Sequence, residues 1–429
     1  MSTAIRLAAG AIAALGALFT FTTGSAIAED SLRDVSSEVC QNCHKEIYKQ
    51  WAGSMHANST ALKDPIHATF YKKVVGDPLQ EGVKMKNGKF PVCLQCHAPN
   101  AALEKATKLD AKVSYKEGVN CVACHTLKSF NGINAPGGKL KLGMKSYEIS
   151  ENLQGPAGFT RGLQQLTAGN DMFGGAAAGA DESSKPNPHL GEPVTLEGKQ
   201  IPSMPMEANA GLMKSNAACM GCHDKRNNSH GVPLCATGNE YMVSKSDVTC
   251  QYCHMPMVNN MADHSMGGGH DGGMLKRSIV FTMDTKTENG KVMVSAKLKN
   301  QQPHALPTGA PFRNIVLKLT AYNDQGEVVW ENAPEHPAKD DPQAYFAYLL
   351  ADDAGKDAMP PTATQLGADT RLRPHEERVL GYEIPSEGVA LVRGEVHYNL
   401  LWKVLADQFK HLPEDLRSSR VIAVAEAQI

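Results

Sequence analysis

Aromatic side chains are scarce in this chain: Phe, Tyr and Trp make up 6% of its 429 residues. Branched aliphatics are also thin over the first 275 residues, where Gly, Pro and Lys are frequent. That stretch cannot build an ordinary apolar core from side chains alone. Net charge is lacking as well, with 43 Lys and Arg against 45 Asp and Glu, a formal −2. This balance gives no basic stripe for nucleic acid. Beyond residue 28 no apolar run reaches the roughly 20 residues of a membrane-crossing helix. Finally, the chain has 11 Cys, but their spacing leaves none for a disulfide framework.

Ten of those 11 cysteines fall in five copies of Cys-x-x-Cys-His. Motif I is Cys40-Gln-Asn-Cys43-His44, motif II Cys93-Leu-Gln-Cys96-His97 and motif III Cys121-Val-Ala-Cys124-His125. Motif IV is Cys219-Met-Gly-Cys222-His223 and motif V Cys250-Gln-Tyr-Cys253-His254. Each is the attachment signature of a c-type haem: two thiols tether the porphyrin edge and the adjacent His supplies the proximal iron ligand. Five covalently bound haem c groups are therefore expected, with His44, His97, His125, His223 and His254 as proximal ligands. A thioredoxin-like redox motif does not account for five repeats in one chain. Only Cys235 is left over, as a small apolar residue, a thiol ligand or an intermolecular bridge.

The first 28 residues read as a secretory signal peptide: Arg6, an apolar stretch Leu7 to Thr23, then Ala26-Ile27-Ala28 as a cleavage site. A retained anchor is the competing reading, but the run is short and broken by Gly and Thr. Export to the periplasm, the cell surface or the outside follows, and it suits haem attachment.

Residues 29–275 form the expected pentahaem domain, mostly short α-helices and loops wrapped around the porphyrins, which would supply the missing core. Between motifs III and IV, 170–180 is rich in Gly and Ala and 185–206 is rich in Pro, both reading as loop. From about 276 to 429 the pattern changes to period two. Strands are expected over 278–284, 291–298, 314–322, 327–330, 377–384, 390–397 and 420–426, with turns at Glu288-Asn-Gly290 and Asp324-Gln-Gly326 and a helix over 400–410. Seven short strands suggest an antiparallel β-sandwich.

A haem with two protein ligands relays electrons, whereas one with an open position can bind substrate. Of 16 His, five are proximal, leaving 11. His336, His375, His397 and His411 lie well inside the C-terminal region. The distal candidates are His56, in Trp51-Ala-Gly-Ser54-Met-His56; His230; His264 and His270, flanking a glycine run; His304, in Pro303-His-Ala-Leu-Pro-Thr-Gly309; and His189. His67 is the weakest of the group. Met255, Met257, Met261, Met266 and Met274 offer a competing axial ligand or a copper site, and equally a flexible packing surface.

Motif I followed by Trp51-x-x-Ser54-x-His56 resembles the opening of the cytochrome c-554-like multihaem cytochromes, a group related to hydroxylamine oxidoreductase and pentahaem nitrite reductase. Glu117-Gly-Val-Asn-Cys121-Val-Ala-Cys124-His125 is similar to a third motif common in the group. His304-Ala-Leu-Pro-Thr-Gly309 with Arg313 looks like the entry to the β-domain of related proteins. The resemblance implies closely packed, mostly bis-His haems and electron transfer between them. The chain departs from the catalytic relatives: all five motifs end in His, with no Lys variant, and five haems fall short of eight.

The reading is an exported pentahaem electron carrier serving redox partner proteins, with no catalytic residue assigned. An oxidoreductase with one open haem acting on a small nitrogen or sulfur compound, and a homo-oligomeric or filament subunit, are the alternatives.

Overall fold

The computed structural model describes residues 31–157 and 187–429. The expected leader, 1–28, and the Gly/Ala-rich stretch 170–180 lie outside the described residues. Among the described residues no helix is long and apolar enough to cross a membrane.

The first half is built of short helices. The longest are Lys45–Gly53 and Pro65–Val74, of 9 and 10 residues. The second starts cleanly because Pro65 occupies its first turn and the Asp64 carboxylate accepts from Ile66 N at 2.9 Å. Motifs II, III and V are little more than single turns, Leu94–His97, Cys121–His125 and Cys250–His254. Apolar side chains here form small separate clusters, one around Leu94, Leu109 and Tyr115, another around Val122, Leu153 and Ile201, a third around Leu127, Tyr147 and Leu212. No single core joins these clusters, as the thin composition implies.

The Pro-rich stretch is more ordered than its composition suggests. Its described part contains the turn Pro188–Leu190, a hairpin Val194–Leu196 with Lys199–Ile201, and Met206–Ala208 paired in parallel with Leu153–Gly155. Glu197 and Gly198 at φ 51° and 78° make the hairpin turn. Ile201 and Met204 then pack on Val122 and Leu153, which offsets the poor local propensity.

The C-terminal region has nine strands: β1 Ile279–Glu288, β2 Lys291–Asn300, β3 Asn314–Tyr322, β4 Val328–Glu331, β5 Tyr345–Ala351, β6 Gln365–Asp369, β7 Glu377–Pro385, β8 Leu391–Asn399 and β9 Arg420–Gln428. They form two antiparallel sheets, ordered β1-β2-β7 and β6-β5-β3-β8-β9, with β4 also on β3. Asn289-Gly290, both at positive φ (52° and 73°), make the β1–β2 turn. Side chains alternating along β2, such as Val292, Val294, Ala296 and Leu298, enter one cluster with Leu317 and Leu319 of β3 and Val392 and Val396 of β8. Two strands, β5 and β6, were not expected. The β5 sequence Tyr-Phe-Ala-Tyr-Leu-Leu-Ala has no polar alternation, and β6 is a mostly exposed edge strand. The helix expected over 400–410 is Lys403–Gln408.

Helix Pro65–Val74 joins the two regions. Ile66 belongs to the β-region core, and Phe70 stacks on Phe312 with ring centres 5.1 Å apart. Tyr71, on another face, is buried in the N-terminal cluster with Leu94. His411 Nε2 and Thr69 Oγ1 lie 2.9 Å apart across the same junction.

Candidate haem-binding sites

In a helical Cys-x-x-Cys-His turn, the i, i+3 spacing puts both sulfurs on one face with the His beside them. Burial pushes the thiols of Cys93 and Cys124 up to about 12, which disfavours a thiolate metal site and suits neutral, alkylated sulfur. Among the described residues no three His, Cys, Asp or Glu side chains converge as a bare metal site. What converges instead is histidine pairs.

An iron bridged by two imidazoles needs ring centres about 6 Å apart, from two metal–nitrogen bonds of about 2 Å and the offset of each nitrogen from its ring centre. Four pairs meet this. His44 and His189 are 6.0 Å apart, His56 and His223 5.9 Å, His125 and His264 6.5 Å, and His254 and His304 6.4 Å. In each, one member is a motif histidine and the other a distal candidate named above. Two imidazoles per site, with no group of three or more His, Cys, Asp or Glu among the described residues, is the donor set that a haem would take.

The tautomers fit too. Carbonyl oxygens accept from Nδ1 of His125 (Gln154 O, 2.9 Å), His189 (Met204 O, 3.1 Å), His254 (Gly267 O, 2.6 Å), His264 (Ala262 O, 2.7 Å) and His304 (Ala305 O, 3.0 Å). Each bond fixes the tautomer whose Nε2 carries the lone pair that can ligate a metal. Burial, then the neighbouring His254, pushes His56 down to about 4. Burial, then His56, pushes His223 down to about 3. These imidazoles are neutral, the ligating form.

Motif II differs. His97 lies 4.1 Å from His67, too close for an iron between the rings. Nδ1 of both donates to the same carbonyl, Ser59 O, at 3.0 and 2.8 Å. Both rings therefore extend from one anchor, side by side. The buried Nε2 of His67 has no hydrogen-bond partner.

Two further distal candidates stand apart from the motif histidines. His230 is exposed, with its backbone N–H on Asn228. His270 sits beside Arg313 and Arg420, whose charges add to burial in lowering its pKa to about 4. In the methionine stretch Met257 and Met261 are exposed, while Met255, Met266 and Met274 are half-buried. Cys235 ends a short strand paired with Arg226 and Asn227.

Sulfurs of different motifs are neighbours. Cys40 lies beside Cys121, Cys96 beside Cys222, and Cys219 beside Cys250, close enough for each thiol to perturb the other. Cys124 lies close enough to act electrostatically on Cys219 and Cys222. The spatial order of motifs is thus I–III–IV–V, with II attached to IV.

The residues holding this order were not singled out from sequence. Buried Glu117 accepts from Ser36 Oγ (2.6 Å), Ser37 N (3.0 Å) and Asn120 Nδ2 (3.1 Å), while Asn120 caps the motif III helix at Ala123 N (2.9 Å). Gly118 is at φ +70°, and a Cβ there would collide with His56 O and Ser59 Oγ. Val119 binds Trp51 Nε1 through its carbonyl and His56 O through its N–H, both at 2.9 Å. One tetrapeptide so fixes motif I, motif III and the His56 loop. Tyr147 does the same for motif IV, donating to Ala218 O (2.9 Å) and accepting from Gly221 N (2.8 Å); any side chain at 221 would strike its ring. The signal was present in the Glu-Gly-Val-Asn stretch, but only as a family likeness.

Residues 39–126, spanning motifs I to III, match the family described as cytochrome c554 and c-prime. The chain is also similar to a solved structure, that of a penta-heme cytochrome c552 from Thermochromatium tepidum. The two are 58% identical, with 92% of this chain and 99% of that one covered at a TM-score of 0.86. No curated protein sequence matches it. With five attachment motifs, four histidine pairs at iron-bridging distance and a relative this similar over nearly its whole length, the chain belongs to the multihaem c-type cytochromes.

Proposed function

We propose that this protein is an exported electron relay that binds five haem c groups, four of them between two histidines, and passes electrons between redox partner proteins. Cys40/43, Cys93/96, Cys121/124, Cys219/222 and Cys250/253 would hold the porphyrins, and His189, His264, His56 and His304 would complete the sites of motifs I, III, IV and V, respectively. Bound there, haem iron supplies one-electron chemistry between ferric and ferrous states. The chain's part is to hold, orient and space the sites. The two sheets act as a β-sandwich whose loop carries His304 back to motif V.

The observation that carries the reading is the four histidine pairs at 5.9 to 6.5 Å, supported by the nearness of cysteines of motifs I and III, II and IV, and IV and V. The ends of the I–III–IV–V series also reach the surface. At motif I, Cys43, Lys45 and Glu46 are exposed. At motif V, Tyr252 is 73% and Val243 76% exposed, giving an apolar rim. A charged end and an apolar end suit two different partners. The test is rapid one-electron injection into the oxidised protein. Redistribution of the electron among the haems at a rate independent of protein concentration supports the relay; redistribution that scales with concentration excludes it.

A second reading, an oxidoreductase with one open iron, is favoured at motif II alone, where His67 shares the anchor of His97 instead of facing it. Carbon monoxide uptake by one haem of the reduced protein, abolished when motif II is disabled by Cys93→Ala and Cys96→Ala, would support it. No uptake leaves the relay as the whole function.

A further inference from the structure

The β-region delivers a half-buried guanidinium that no carboxylate among the described residues meets at ion-pair distance. Arg313 stands at the start of β3, in the loop that also carries His304. Its Nη1 donates to Thr308 O at 3.0 Å, and its buried Nε has no hydrogen-bond partner. Among the described residues it forms no ion pair. A donor sealed from water without an acceptor, as this Nε is, is costly.

The surroundings reinforce this. Gly269 and Gly309 flank the guanidinium: a Cβ at Gly269 would lie 3.0 Å from its Cζ, and one at Gly309 3.0 Å from Nη1. The backbones of both glycines thus lie against the planar group, where no larger residue would fit. Arg420 adds a second cation, its Nη1 donating to Gly269 O at 3.3 Å, and the unpaired candidate His270 lies beside both. Two carboxylates are near: Asp64, which caps Ile66 N and acts electrostatically on Arg313, and Asp415, which acts on His270; neither is within ion-pair distance of Arg313. Arg313 also acts electrostatically on His223, the motif IV histidine.

We propose that Arg313, cradled by Gly269 and Gly309, is the binding site for a carboxylate or similar oxyanion at the edge of the motif IV site. This rests on motif IV carrying a haem. A guanidinium fork matches a carboxylate bidentately, and two sources fit: a carboxylate side arm of the tethered porphyrin, or a diffusible small oxyanion. In either case the β-region does more than shield, because a cation there favours the reduced state of the nearest iron, whose positive charge is one unit lower.

The test is spectroelectrochemistry of the holoprotein, with Arg313→Gln and Arg313→Lys, in buffers without and with inorganic phosphate. The motif IV wave is identified beforehand as the one that His56→Met raises, since Met/His ligation increases the potential. Haem content measured as the pyridine haemochrome must equal five per chain; a lower count means the haem reading, rather than this site, has failed. A downward shift of that wave alone in R313Q, smaller in R313K, with no phosphate response in the wild type, identifies the porphyrin carboxylate. A wild-type wave that moves with phosphate and stops responding in R313Q identifies the diffusible anion. If all five waves coincide with wild type in both variants and phosphate moves none, the site is refuted.

Discussion

Replacing Glu240 should damage motif V although Glu240 touches no histidine. Its carboxylate lies on helix Thr237–Ser244 and reaches into the β-region. Oε1 pairs with Arg371 Nη1 at 2.8 Å, with both side chains 11% exposed. Oε2 accepts from Thr308 Oγ1 at 2.7 Å and Ala305 N at 3.2 Å. Burial pulls the pKa of Arg371 down, but Asp369 and Glu240 raise it by more, so its guanidinium stays charged. Removing one partner of a buried pair costs about 3–5 kcal/mol. Glu240→Ala also leaves the Ala305 N–H unpaired, at about 1–3 kcal/mol where no water reaches it, while the Thr308 hydroxyl keeps Thr237 Oγ1 at 2.9 Å. Asp369 still holds the other edge of the guanidinium at 2.8 Å, which brings the expected total back to about 3–5 kcal/mol. Ala305 follows His304 directly, so the loss falls on the loop that presents this histidine to His254. Denaturant unfolding and EPR of the same holoprotein samples test this. E240A should unfold earlier and alter one low-spin signal, with Glu240→Gln milder on both counts. Wild-type stability together with five unaltered haem signals in E240A would refute the argument.

Other outcomes follow from the same contacts. Gly118→Ala places a Cβ against His56 O and Ser59 Oγ at positive φ, so it should destabilise the protein by about 1–3 kcal/mol and lower haem content, read by thermal unfolding and the pyridine haemochrome. His56→Ala should convert one haem to high spin; a spectrum left wholly unaltered would remove His56 from the motif IV site. Tyr147→Phe removes the hydroxyl shared by Ala218 O and Gly221 N, costing about 1–3 kcal/mol in unfolding free energy without changing haem count.

Much of this was legible in the chain because the chemistry is local. Two thiols and an imidazole within five residues declare a haem site whatever the fold around them. The hairpin at Asn289-Gly290 was readable for a similar reason: two positive-φ residues between alternating strands leave little choice. Pairing is another matter. His304 meets His254 across 50 positions and His189 meets His44 across 145, distances at which spacing holds no information. His230 and His270 offered the same local context as the paired candidates, yet they lie elsewhere, one at the surface and one beside two arginines. Strand β5 went unread because burial on both faces erases the period-two pattern. The roles of Glu117 and Tyr147 were invisible because each acts on segments about 70 to 80 residues away.

The account rests on four sites closed by two histidines each and a fifth, motif II, that is built differently. Low-temperature EPR of the oxidised holoprotein, followed by carbon monoxide titration of the reduced form, tests this most directly. The expected result is four low-spin bis-histidine signals per chain and gas uptake by no haem other than that of motif II. Gas uptake by two or more haems, or fewer than four low-spin signals, would contradict the pairing and the relay built on it.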